Sequence, residues 1–125
     1  MRRVLPFLSL AFAITTACTT DSTGPSGSIT GTYSLRTING SALPYQVNSS
    51  TIIQSEQLTL NADGSYTDFA QFSNGTSFTE VGYYSQFNNA ITFNDQTDGI
   101  TYQGSISGNV LTEITGNVTA AYQKN

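Results

Sequence analysis

The sequence predicts an all-β protein, an up-and-down antiparallel meander of eight or nine strands that closes into a small barrel. Three observations carry this. From Ile29 onward no segment sustains apolar residues at helical spacing, whereas strict alternation of apolar and polar residues recurs. Pairs such as Asn39-Gly40, Asp63-Gly64, Asn74-Gly75, Gly108-Asn109 and Gly116-Asn117 punctuate the alternation, and these residues tolerate the positive φ of tight hairpins. Seven Tyr and seven Phe in 125 residues, with only 10% charged side chains, supply a core and are the reverse of a disordered composition. Short connections force sequential strands antiparallel, and closing the sheet removes edges that would otherwise aggregate. The alternative is an open β-sandwich.

Along the chain, Met1-Arg2-Arg3 is a short positive region, and Val4 to Ala13 is an apolar run too short to span a membrane. Ile14-Thr15-Thr16-Ala17-Cys18 follows and holds the single cysteine of the chain. This stretch resembles the lipobox of bacterial lipoproteins, and the resemblance implies cleavage after residue 17 and acylation of Cys18. Residues 1–17 are then a lipoprotein signal peptide, and 18–28 are the lipidated cysteine and a small, polar, flexible tether. Thr19 lacks the Asp that retains lipoproteins in the inner membrane in the enterobacterial pattern. Lipid-anchored display in the cell envelope, at the outer membrane or cell surface, is therefore expected, with the acyl chains as the membrane contact.

Residues 29–125 form the barrel domain, with strands expected at about 29–38, 42–47, 51–60, 65–73, 76–87, 90–94, 99–107, 110–115 and 118–124. The turns set registers, and registers set faces. If Gly108-Asn109 and Gly116-Asn117 are two-residue loops, Ile100, Tyr102, Gly104, Ile106, Leu111, Glu113, Val118, Ala120 and Tyr122 share the core face. Glu113 then sits between the small Gly104 and Ala120. With Gly64 at the bulge of a three-residue loop and Asn74-Gly75 as the next turn, Leu58, Leu60, Tyr66, Ala70, Phe72, Val81 and Tyr83 fall together. Glu56 and Asp68 join them as diagonal neighbours, close enough to share a ligand or a proton. The alternative is a β-bulge near Gln54 to Gln57 that turns Glu56 outward, with Asp68 near a strand end or rim. The opposite face carries Phe69, Phe78 and Tyr84, either as an exposed aromatic patch for a surface partner or beneath the 40–50 segment.

Composition narrows function by exclusion. The formal charge is −4, the pI is near 4.2 and four basic residues face eight acids, so no basic patch exists to bind nucleic acid. Histidine is absent. Ser-His and Cys-His pairs and ordinary zinc sites are thereby excluded, and no cofactor or metal is expected. Asp95-Gln96-Thr97-Asp98-Gly99 carries two acids in a turn but falls short of the ligand count of a calcium loop, and ordinary turn chemistry accounts for it. Paired carboxylates can hydrolyse glycosides, but a barrel this small offers no sugar cleft, so a non-catalytic role is expected.

Gly31-Thr32-Tyr33-Ser34-Leu35, the run Leu58 to Tyr66, Gly82-Tyr83-Tyr84 leading to Ala90-Ile91-Thr92-Phe93, and Gly104 to Leu111 are similar to the meander of small bacterial lipocalin-like lipoproteins. The resemblance implies a lipocalin-like barrel. Tyr33 stands where lipocalins open with Trp, and the Arg that packs over that Trp has no counterpart, Lys124 being the nearest base. Two functions follow as expectations. One is a tethered barrel holding a small apolar or amphipathic ligand among Tyr33, Tyr66, Tyr83, Tyr102 and Tyr122, oriented by Glu56, Asp68 or Glu113. The other is a structural or interaction lipoprotein with a core filled by side chains.

Overall fold

A computed structural model describes residues 29–125; the expected signal segment and tether, with Cys18, lie outside the described residues. Ten strands follow in order: β1 (Gly31–Ile38), β2 (Ser41–Ala42), β3 (Tyr45–Asn48), β4 (Thr51–Leu60), β5 (Ser65–Phe72), β6 (Ser77–Phe87), β7 (Ala90–Asp95), β8 (Ile100–Ser107), β9 (Val110–Thr115) and β10 (Val118–Lys124). From β4 to β10 each strand pairs antiparallel with the next. The ring closes through β1, which pairs with β10 on one side and with β4 on the other, Tyr33 opposite Leu58. The result is an eight-stranded barrel, closed and not a sandwich. The two short strands β2 and β3 extend the edges where β1 and β4 diverge.

Turn chemistry explains most registers. Asn39 and Gly40 both take positive φ, as the two-residue hairpin placing Ile38 opposite Ser41 requires. Gly108 and Gly116 take positive φ at the first turn position, so Ser107 faces Val110 and Thr115 faces Val118, as expected. Glu113 accordingly lies opposite both Gly104 and Ala120.

One register differs. The Asn74-Gly75 connection is a three-residue loop, Ser73 to Gly75: Phe72 N donates to Thr76 O, Gly75 N donates to Phe72 O, and Gly75 holds φ 87°. Asn74 Oδ1 accepts from the amide and hydroxyl of Thr76, which closes the longer loop. The extra residue slips β6 by one, so Ala70 faces Phe78, Asp68 faces Glu80 and Tyr66 faces Gly82. Every β6 side chain therefore changes face. Val81 and Tyr83 turn outward and are exposed, and Glu80 and Gly82 turn inward.

The barrel is filled at one half. Tyr33, Leu58, Leu60, Tyr66, Ile91, Phe93, Leu111 and Tyr122 are essentially inaccessible. Phe93 packs edge-on against Tyr66, centroids 5.2 Å apart, and stacks on Tyr102 at 5.0 Å. Ile29 plugs this end, and its carbonyl accepts the Tyr33 hydroxyl at 2.7 Å. Two glycines make the aromatic layer possible. A Cβ on Gly82 would collide with the Asn94 carbonyl and come within 2.9 Å of the Tyr66 ring; one on Gly104 would lie 2.7 Å from the Thr112 carbonyl and 3.2 Å from Phe93. Gly82→Ala should therefore cost about 1–3 kcal/mol in urea denaturation, the usual range for overpacking a tight core. Unchanged stability would contradict this packing.

Candidate functional site

The other half of the barrel is open. Two adjoining cavities, of about 340 and 290 Å³, both reach Val47, Ile53 and Glu56. The first is walled by Leu35, Ile38, Tyr45, Val118 and Ala120 above Glu113 and Tyr122. The second is walled by Ala70, Phe72 and Phe78 above Asp68 and Glu80. Local irregularities build this mouth. A bulge at Gln54 lets Ile53 pair with Phe72 and Ser55 with Gln71, so Ile53 and Glu56 both line the interior, although strict alternation would separate them. The bulge thus exists where the sequence allows it, but Glu56 points in. A second bulge, where Ala121 pairs with Thr37 and Tyr122 with Leu35, leaves Arg36 exposed while Leu35 and Ile38 are buried.

Four carboxyl groups form the floor. Tyr122 donates to Glu56 Oε2 at 2.7 Å and lies 3.4 Å from Glu113 Oε1. Tyr66 and Tyr102 both donate to Glu80 Oε2 at 2.7 Å. Asp68 Oδ1 and Glu113 Oε2 are buried with no hydrogen-bond partner, in residues only 8% and 7% exposed. Such groups are costly unless they are protonated or meet a ligand. Burial, and then Glu56 beside it, hold the Asp68 carboxyl far above the usual carboxylate range. Burial, then Glu56 and Glu80, push Glu113 up to about 8, against a small opposing effect of the Tyr122 hydroxyl. Burial also raises Glu80, helped by Asp95 and Asp98 and opposed by its two tyrosine donors.

The expected site residues divide. Glu56, Asp68, Glu113 and Tyr122 come together at the open end. Tyr66 and Tyr102 are packed in the filled half and reach the floor only through their hydroxyls on Glu80. Tyr33 is sealed in the closed end, and Tyr83 is 58% exposed on the outer surface, so neither lines the chamber. The Phe69, Phe78 and Tyr84 patch does not form. The slip of β6 moves Phe78 into the chamber, leaves Phe69 outside, and packs Tyr84 against the core with its hydroxyl on the Asn61 carbonyl. Val47 of the 40–50 segment lines the same cavity as Phe78, and both remain exposed. Glu80, the acid that sequence reasoning missed, comes inward through the same slip.

Among the described residues, Glu80, Asp95 and Asp98 are the group whose oxygens could reach one metal ion, all within 4.8 Å of one another. Asp95 Oδ1 already accepts from the amides of Thr97 and Asp98 and closes their turn. The arrangement as a whole supplies hydrogen-bond acceptors and proton-holding carboxyls under an apolar wall.

Because folded Glu113 holds its proton more tightly than an unfolded glutamate, the folded state binds more protons between the ordinary value of 4.5 and about 8. Stability should therefore fall as pH rises through that window, by up to about 1.4 kcal/mol per pH unit for one such group. Asp68 and Glu80, also raised, act with the same sign. Glu113→Gln should make the decline shallower in urea titrations at pH 5 to 8. A variant with an undiminished slope would contradict the burial of this carboxyl.

No protein-family model matches the chain, and no curated protein matches it. One solved structure, the crystal structure of an uncharacterized protein from Bacteroides eggerthii DSM 20697, is similar over 77% of this chain and 98% of its own, with 11% identity and a TM-score of 0.49.

Proposed function

We propose that this chain is a non-catalytic binding protein of the bacterial cell envelope, held by a lipid on Cys18, whose barrel takes a small amphipathic molecule at its open end. The chamber carries this reading: an apolar wall stands over a carboxyl floor in which two buried oxygens have no partner. An apolar pocket with a few convergent polar groups is the usual form of a small-molecule site. The filled half supports it as a rigid base. The lipobox-like segment ending at Cys18 supplies the anchor, and the barrel begins at its closed end, where Ile29 sits beneath Tyr33. An anchor upstream of Ile29 therefore attaches at the closed end of the barrel, opposite the mouth.

Native mass spectrometry of the protein, extracted gently from the membranes of its own host, should find a small molecule whose mass is lost on denaturation. A bare polypeptide mass would overturn the binding role. Separately, Cys18→Ala should move the protein from the membrane fraction to the soluble one, and retention of that variant would refute the anchor.

A further inference from the structure

We infer that the polar end of the bound molecule is a cation, and that the ligand is an organic ammonium whose apolar body lies against the chamber wall. This rests on the binding role proposed above and names its ligand class.

The first support is charge distribution. Of the seven acids in the described residues, Glu56, Asp68, Glu80, Asp95, Asp98 and Glu113 all lie toward the open end; the seventh, Asp63, is in the β4–β5 turn at the closed end. The two described bases are elsewhere. Arg36 is exposed on the outer surface, and Lys124 pairs opposite Tyr33 at the closed end, its Nζ 5.9 Å from that ring. Neither lines either cavity. A mouth of one sign with low-dielectric walls concentrates the opposite charge.

The donor and acceptor inventory points the same way. The hydroxyls at the floor are already committed, Tyr122 to Glu56 and Tyr66 and Tyr102 to Glu80, and those of Tyr45 and Thr115 belong to the wall. What the floor leaves unmet is acceptor capacity, Asp68 Oδ1 and Glu113 Oε2, each in a side chain more than nine-tenths buried. Once these carboxyls ionise, a ligand atom facing them must donate. A neutral alcohol offers one donor; a primary ammonium offers three and a full charge, and its bonds to carboxylates are the stronger kind. Leu35, Ile38, Ile53, Val118 and Ala120 on the wall suit an apolar body, which a hydrated inorganic ion lacks.

Isothermal titration calorimetry of the purified full-length chain with 2-phenylethylammonium, 2-phenylethanol and phenylacetate separates the possibilities. The ammonium should bind about tenfold or more tightly than the alcohol, the margin expected for charge-assisted bonds, and phenylacetate should not bind. Glu113→Gln and, independently, the more accessible Glu56→Gln should each weaken the ammonium about fivefold or more while leaving the alcohol unchanged. Equal or tighter binding of the alcohol, or binding of phenylacetate, would overturn the cation assignment and leave the binding role standing. The same holds if none of the three binds while a host molecule co-purifies. If none binds and nothing co-purifies, both fall. The three-ligand comparison on the unmodified protein does not depend on any variant folding.

Discussion

The open half of the structure depends on carboxyl groups that face one another across a barrel interior with no base among them. Glu56, Asp68, Glu80 and Glu113 come from four different strands, β4, β5, β6 and β9, and meet beneath an apolar rim. Like charges in a low-dielectric site cannot all ionise, so protons and tyrosine hydroxyls take the place of counter-ions. A barrel selected for stability alone would fill these positions with aromatic and aliphatic side chains, as its other half does. The acceptors without partners are the observation from which the proposed ligand is argued.

The two halves are mechanically linked. Phe93, held between Tyr66 and Tyr102, fills the closed half, and those same tyrosines project their hydroxyls onto one oxygen of Glu80. Gly82 and Gly104 permit the aromatic layer, and Gly104 also lies opposite Glu113 on the neighbouring strand. Packing in one half thus fixes the position of acids in the other, and on the proposed binding role a floor held by a rigid base would bind at low cost in ordering. Tyr122 completes the link on the opposite wall by donating to Glu56.

Much of this was legible in the residues. The Gly-Asn turns at 108 and 116 dictated two-residue loops, and from them the position of Glu113 between Gly104 and Ala120 follows without further information. The three-residue loop at Gly64 likewise gave the Glu56 and Asp68 diagonal. The slip at Asn74 had a signal that went unused: Asn74-Gly75-Thr76 repeats Asp63-Gly64-Ser65, and both acceptor side chains cap the amide and hydroxyl two residues on. Reading the second turn like the first brings Glu80 inward and sends Tyr83 out. The bulge at Gln54 has no such signature, because nothing local distinguishes an inserted residue from a paired one. Whether tyrosines line a cavity or fill it depends on the summed volume of side chains from eight strands, which alternation along any one strand does not contain.

The central claim is that buried carboxyls in the chamber keep their protons until a cation replaces them. Infrared spectroscopy with isotope-labelled glutamate and aspartate reads this directly through the carbonyl stretch of protonated carboxyl groups. At neutral pH the ligand-free protein should show that band, assignable in part to Glu113 by its loss in Glu113→Gln, and adding a phenylethylammonium salt should diminish it. A spectrum in which every carboxyl is already ionised without ligand, or a protonated band that a bound ammonium leaves untouched, would contradict the account.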